Sequence, residues 1–213
     1  KFGTAVIWIC FGMGLCVIAN AGTSFLVAFF KNLGITLTQG DVAKPNSIFE
    51  CVLDIIGIAI VPAICEEFAM RCCALGLLKN YGKAFGVVSV SVVFGLLHGN
   101  VIQFIFAFLV GLVLAYITIK TESIIPAMCI HALNNGMSAV SDTVNYAAGK
   151  EVNITVGFFA FWLLVGIIAT IYLAIKRKLT IPKDDGNCVL TLGEKVSSFF
   201  FPGMILPFIV LII

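Results

Sequence analysis

The chain alternates long apolar segments with short polar stretches, and this pattern is the main guide to its structure. Several apolar segments are long enough to span about 30 Å of hydrocarbon as a helix. Short strands of alternating character, which a membrane β-barrel requires, are not visible. The sequence therefore predicts an all-α protein, a polytopic membrane helical bundle of about seven helices. The predicted helices cover residues 4–30, 48–78, 84–98, 101–119, 123–141, 155–176 and 197–213.

The polar motifs that interrupt these helices all lie between residues 48 and 141. We interpret the chain as a single transmembrane domain, 1–213, with a motif-bearing catalytic core at 48–141. The stretches 1–47 and 142–213 are interpreted as flanking helices and loops, with a polar break at 142–153. The helix at 84–98 is only about 22 Å long, so we expect it to end inside the protein rather than to cross the membrane completely.

Composition agrees with a membrane protein and excludes other classes. Hydrophobic residues make up 61% of the chain, charged residues 11%, and the mean hydropathy is +1.12. A soluble domain carries about 25% charged residues. The net charge of +2 is too small and too dispersed to indicate a nucleic-acid partner. Seven of the eight cysteines lie in apolar runs and are interpreted as packing residues, whereas Cys188 falls in a polar loop.

The basic residues predict an orientation by the positive-inside rule. If every predicted segment crosses or returns in turn, the Lys176-Arg177-Lys178 cluster shares one side with most other lysines, and that side is cytoplasmic. We therefore expect the polar site to open to the cytoplasmic side, and we favour a bacterial cytoplasmic membrane over the endoplasmic reticulum. Nine basic residues fall on the cytoplasmic side and three outside: Lys1, Lys79, Lys83, Lys120, Lys176, Arg177, Lys178, Lys183 and Lys195 against Lys31, Lys44 and Lys150.

The first polar motif is Glu66-Glu67-x-x-x-Arg71, inside an apolar helix. Adjacent residues point about 100° apart on a helix, so the two glutamates are expected to do different jobs. Glu67 and Arg71 have the spacing and order that favour an ion pair, and we interpret them as a structural pair. Glu66 then lacks an obvious partner and is a candidate catalytic residue. Pro62 should leave the Ile58 carbonyl without its helical donor and kink the helix before the motif.

Both histidines of the chain belong to the other two motifs, Phe94-x-x-x-His98 and His131-x-x-x-Asn135. Counted along their helices, Glu66, His98 and His131 lie roughly 16–20 Å from cytoplasmic turns, so they could meet at one depth. A desolvated glutamate beside His98 would be a plausible activator of water. His131 and Asn135 share a helix face and could stabilise an oxyanion. The alternative for Asn135 is an interhelical hydrogen bond.

Three further polar residues are expected to line the cavity that these motifs share. An interior helix end is tolerated in a membrane only where it faces such a cavity. The candidates are Asn100 and Gln103, just after the short helix, and Asn134, beside the third motif.

Taken together, the three motifs resemble the CPBP family of CAAX proteases and bacteriocin-processing enzymes. This family, also called ABI, includes the type II CAAX prenyl endopeptidase of the endoplasmic reticulum. The resemblance covers roughly residues 48–141 and is carried by C-E-E-F-A-M-R, F-G-L-L-H-G-N and H-A-L-N-N, the last with its upstream Pro126.

The resemblance implies an intramembrane endopeptidase that hydrolyses a peptide bond of a hydrophobic or lipidated peptide. By their match to the family's motifs, Glu66 and His98 would activate water, and His131 and Asn135 would serve the oxyanion side. The substrate class stays open between a CAAX-type C-terminus, a leader and a pheromone peptide. The expected partners are this peptide and the lipid bilayer, and the oligomeric state is not predicted.

A metal cofactor is the less favoured alternative. Glu66, His98 and His131 could form a two-histidine, one-carboxylate zinc site with an open position for water. The sequence lacks H-E-x-x-H, the usual helical spacing for zinc. A Glu/His mechanism needs no metal, and we favour it.

Two non-enzymatic classes remain open at this point. The chain could be a bacteriocin-immunity or scaffold protein that binds a partner through its bundle. It could also be a transporter or proton relay, because buried Glu and His are typical of both. The transporter ranks last, since the sequence shows no inverted repeat.

Overall fold

The structure, a computed structural model, describes residues 2–38, 44–184 and 190–199. All regular secondary structure in these three ranges is helical, so the predicted all-α helical bundle is confirmed. The helices in this part of the chain are α1 (Phe2–Asn32), α2 (Ile48–Tyr81), α3 (Lys83–Leu96), α4 (Val101–Thr121), α5 (Ile125–Ala148), α6 (Thr155–Ile175) and α7 (Leu192–Phe199).

Two predicted boundaries need comment. Residues 142–148, expected to belong to a polar break, continue α5 to Ala148, and Gly149 ends the helix at φ +61°. The helix tolerates these polar residues because they are bonded locally: the Thr143 hydroxyl donates to the Ala139 carbonyl over 2.8 Å. The predicted helix at 197–213 overlaps α7 only at its start, and residues 200–213 lie outside the described residues.

Four helices, α1, α2, α4 and α6, are long and apolar enough to cross a membrane. Helix α3 is apolar but has only 14 residues, in agreement with its expected interior end. Helix α5 is not among these spans, but it runs back along the bundle: Ile124 before its start shares a cavity with Lys79, and Tyr146 near its end shares one with Lys44. This agrees with the expectation that each segment crosses or returns. Large apolar side chains such as Phe68 on α2 and Ile175 on α6 are exposed, which gives these helices a lipid-facing surface. The chain is an integral membrane protein.

Helix α1 forms the centre of the packing. It lies against α4, α5 and α6, while α3 packs on α4 and α2 packs on α5. The core between these helices is apolar, with Trp8, Met13, Leu114, Ile130 and Leu173 buried in one cluster. This leaves the motif-bearing faces of α2, α3 and α5 on one side of the bundle.

Helix α2 carries two π-helical stretches, Ile55–Ile60 and Phe68–Ala74. The first lies just before Pro62, so the predicted disturbance of the helix there takes the form of a π-helical stretch. The second begins directly after Glu67. Since π turns change the direction in which neighbouring side chains point, they are common at functional sites. The two glutamates therefore stand on a short α-helical segment, Val61–Glu67, between two altered ones.

The cysteines are less uniform than predicted. Cys16 and Cys51 are buried, as packing residues should be, and the seven described cysteines are all free thiols. Cys65, Cys72 and Cys73, however, are exposed on α2 because this helix turns much of its surface outward. Cys188 lies outside the described residues.

Glycines allow two close contacts between helices. Gly14 on α1 and Gly166 on α6 meet backbone to backbone: a Cβ on Gly166 would lie 2.5 Å from the Gly14 Cα. Gly95 lets α3 approach Phe104 of α4 in the same way. Gly99, the residue after His98, has φ +61° and open space around it.

The α1–α6 contact yields a stability prediction with an internal control. Gly166→Ala should destabilise the protein by about 1–3 kcal/mol, because the added methyl group overpacks a backbone contact. Gly157→Ala on the same helix meets nothing within 4 Å and should be neutral or slightly stabilising, since alanine is the better helix former. Thermal unfolding in detergent compares the two. Equal midpoints would contradict the close packing.

Candidate active site

A buried ion pair on α2 forms the base of the site. The Arg71 Nε lies 3.1 Å from the Glu67 Oε2, and both side chains are 0% exposed. The predicted pair is thus formed. The Arg71 guanidinium also lies over the ring of Phe94 on α3, 4.5 Å from its centroid. Its two terminal nitrogens have no hydrogen-bond partner among the described residues. Helix α3 therefore helps to place the charge that neutralises Glu67.

The other oxygen of Glu67 reaches a different helix. His131 of α5 is buried, and its Nδ1 lies 2.8 Å from the Glu67 Oε1. A carboxylate paired with arginine accepts hydrogen bonds, so the Nδ1 of His131 carries the proton and donates. The sequence assigned Glu67 to Arg71 alone and missed this contact. Spacing along one helix gives no signal for a partner 64 positions away.

Glu66 approaches the opposite edge of the same imidazole. Its Oε2 lies 3.9 Å from the Nε2 of His131, and its side chain is 41% exposed. The adjacent glutamates were expected to have different roles, and they approach different nitrogens of His131. Glu67 contacts Nδ1, and Glu66 faces Nε2. The gap beside Glu66 is too long for a direct hydrogen bond, and a water molecule could contact both groups across it.

His98 lies just beyond the end of α3. Its Nδ1 is 2.8 Å from the Phe94 carbonyl, and since a carbonyl only accepts, this nitrogen donates. A neutral His98 therefore offers Nε2 as an acceptor. Its ring contacts the Phe94 ring edge to face at 5.1 Å, and the Phe94 ring contacts His131 at 5.9 Å. No hydrogen bond or ion pair joins His98 to Glu66 in the described part of the chain.

Asn135 is anchored by both ends of its amide. Its Nδ2 donates to the Ile58 carbonyl over 3.2 Å, and its Oδ1 accepts from the Asn134 Nδ2 over 3.3 Å. Ile58 is the residue whose carbonyl Pro62 was predicted to leave without a helical donor, so the interhelical alternative for Asn135 is realised. An amide carries two N–H groups, and one of them remains for a ligand.

Three further residues, Asn100, Gln103 and Asn134, were predicted to line a cavity. Asn100 caps α4: its Oδ1 accepts from the Ile102 and Gln103 backbone N–H groups over 2.9 and 3.2 Å. Its Nδ2 donates to the Thr38 carbonyl over 2.8 Å and ties down the loop after α1. The sequence did not predict this capping role, and the cavity assignment of Asn100 stays a prediction. Two cavities among the described residues, given below, are not lined by Asn100, Gln103 or Asn134.

The larger of these cavities, about 940 Å³, lies at the end of α2 where Lys79 and Tyr81 stand. It extends inward to Arg71 and Cys72, and it does not include Glu66, His98, His131 or Asn135. The cavity and the site are thus separate spaces that share Arg71. A smaller cavity of about 240 Å³ lies beside Asp142 and Lys150.

The zinc alternative does not fit this arrangement. Within the described ranges, no group of three or more His, Cys, Asp or Glu residues is placed where it could hold one metal ion. Glu66 and His131 face each other, but no contact between described residues brings His98 to this pair. We therefore derive no chemical step through a metal.

An apolar helical bundle that buries an ion pair and an imidazole, with Glu66 and Asn135 beside them, defines a membrane protein with a polar site inside it. Residues 48–137 match the family model described as type II CAAX prenyl endopeptidase Rce1-like. The match confirms the resemblance to the CAAX protease family, and it contains all three motifs. Comparison with curated proteins and with solved structures gave no match.

The buried ion pair yields a stability prediction. Arg71→Ala should cost about 3–5 kcal/mol, because it leaves the Glu67 carboxylate buried without its cation. Lys44→Ala is the matched control: the Lys44–Glu151 pair has a 3.4 Å contact but side chains that are 72% and 87% exposed, and such pairs contribute about 0–1 kcal/mol. Thermal unfolding in detergent measures both. Similar losses of unfolding free energy in Arg71→Ala and Lys44→Ala would show that Glu67 is not a buried charge.

Proposed function

We propose that the protein is an intramembrane endopeptidase that cleaves a hydrophobic or lipidated peptide with water activated by Glu66. The observation that carries the proposal is the Glu66–His131 pair, 3.9 Å apart, inside the segment that matches the CAAX endopeptidase family. A carboxylate and an imidazole at this separation can both contact one water molecule. The partial exposure of Glu66 gives this water and a substrate a way in.

The chemistry follows from the acceptor and donor groups. Glu66 takes one proton from water as the water oxygen attacks the carbonyl carbon of the scissile bond. The tetrahedral oxyanion then receives a hydrogen bond from the remaining N–H of Asn135 on α5, on the same helix face as His131. When the C–N bond breaks, the proton held by Glu66 passes to the leaving nitrogen. The products are a new carboxyl group and a new amine.

His98 is assigned to the water-activating side through its Nε2. In the resting structure it contacts Phe94 rather than Glu66, and Phe94 in turn contacts His131. Catalytic hydrogen bonds are often long or incomplete before substrate binds. A substrate carbonyl placed between α3 and α5 would bring the Nε2 of His98 into the same space as the water.

The expected substrate is a hydrophobic peptide or a CAAX-type lipidated C-terminus that approaches from the cytoplasmic side. The basic residues Lys79 and Lys83 at the end of α2 support this direction. The 940 Å³ cavity beside them reaches Arg71, which pairs with Glu67, but does not include Glu66. A bacterial cytoplasmic membrane remains the favoured location.

The cleavage assay uses the purified full chain in nanodiscs with farnesylated CAAX peptides and leader peptides, read by mass spectrometry. Glu66→Gln and His98→Gln should each lower the cleavage rate about 10²–10⁴-fold, the usual contribution of a general acid or base. Glu151→Gln, an exposed acid far from the site, should leave the rate unchanged.

Retained cleavage by Glu66→Gln would overturn the assignment of the base. Loss of cleavage on adding a chelator, restored by zinc, would contradict the metal-free mechanism. If the parent cleaves none of the peptides but binds one of them equally well with and without Glu66, a binding or immunity function replaces the peptidase.

A further inference from the structure

We infer that Glu67 is a positioning residue for His131 and not only half of a structural ion pair. The catalytic part of this inference rests on the proposed function. The structural part rests only on the contacts of Glu67. The carboxylate has two oxygens and two partners on different helices: Arg71 on Oε2 and His131 on Oε1.

The burial of Glu67 limits the partners that its carboxylate can have. The Glu67 side chain is 0% exposed, so water cannot replace either partner. A buried carboxylate is strongly disfavoured unless it is paired and hydrogen-bonded. Arg71 supplies the opposite charge, and the His131 Nδ1–H supplies the hydrogen bond. The carboxylate therefore fixes both the orientation of the imidazole and the nitrogen that carries its proton.

The fixed ring determines what the other nitrogen can do. With Nδ1–H bonded to Glu67, the Nε2 of His131 faces Glu66. In the neutral ring Nε2 can only accept a hydrogen bond, and it becomes a donor only when the ring is doubly protonated. An oxyanion contact from the Nε2 of His131 therefore requires a second proton on the ring. A buried acid that holds a catalytic histidine in one tautomer is a known device in unrelated hydrolases.

Arg71 is linked to His131 in two ways. Its polar link runs through the Glu67 carboxylate to the imidazole. Its guanidinium also lies over the Phe94 ring, and this ring contacts His131. Only the polar link determines which ring nitrogen carries the proton. Glu67→Gln should break it at the middle, because an amide can present an N–H to Nδ1 and favour the wrong tautomer.

The test is nitrogen-15 NMR of the imidazoles in the full chain in nanodiscs. The protein has two histidines, so His98→Gln leaves His131 as the single signal and His131→Gln assigns the other. We expect the parent His131 to carry its proton on Nδ1, and Glu67→Gln to move most of it to Nε2. His98 is the internal control, since its Nδ1 bonds to a backbone carbonyl and should not respond to Glu67→Gln.

Kinetics give the second readout. If the tautomer matters for hydrolysis, Glu67→Gln should lower kcat about 10²–10⁴-fold and change KM by less than about twofold, because substrate contacts remain. Glu66→Gln separates the two claims: it should lower the cleavage rate about 10²–10⁴-fold and leave the His131 tautomer as in the parent.

Three results would overturn the inference. The first is a proton on Nε2 rather than Nδ1 of His131 in the parent protein. This measurement needs no variant, so it decides the question even if Glu67→Gln fails to fold. The second is a Glu67→Gln protein with a lowered thermal midpoint but an unchanged tautomer, which would leave Glu67 purely structural. The third is an altered tautomer with unchanged kcat. Loss of the proposed peptidase activity in all assays, with the NMR result as expected, would instead refute the function and keep the contact.

Discussion

The buried carboxylate of Glu67 is the contact on which the arrangement of α2, α3 and α5 depends. A charge inside a membrane bundle is tolerated only with partners, and here the partners come from two directions. Arg71 neutralises it from the same helix, and His131 donates to it from α5. Because Phe94 of α3 lies under the Arg71 guanidinium, one ionised group fixes the relative positions of three helices.

A second link between α2 and α5 comes from the backbone. Pro62 has no N–H to offer the Ile58 carbonyl in an α-helical turn, and Asn135 donates to this carbonyl from α5. Asn135 and His131 are one turn apart on α5, so the polar residues on this face each contact α2. The two links leave Glu66 as the partly exposed acid beside them, with the Nε2 of His131 as its neighbour.

The sequence predicted what depends on one helix at a time. The apolar segments predicted the helices, and the i,i+4 spacing predicted the Glu67–Arg71 pair. The missing N–H of Pro62 predicted that the Ile58 carbonyl would lose its α-helical donor. Contacts between helices were harder, because spacing within one helix does not show which face meets another. The Glu67–His131 hydrogen bond was therefore missed. Asn100 was assigned to a cavity because its polarity was visible in the sequence, but its capping contacts with α4 were not.

The central claim is that Glu66 serves hydrolysis and does not stabilise the helical bundle. Parallel measurement of thermal unfolding and peptide cleavage in Glu66→Leu tests it most directly. Functional residues are often neutral or unfavourable for stability, and Glu66 makes no direct hydrogen bond in the described structure. The account predicts an unchanged or raised unfolding midpoint together with lost cleavage. A midpoint lowered by several degrees, or a variant that still cleaves, would contradict it.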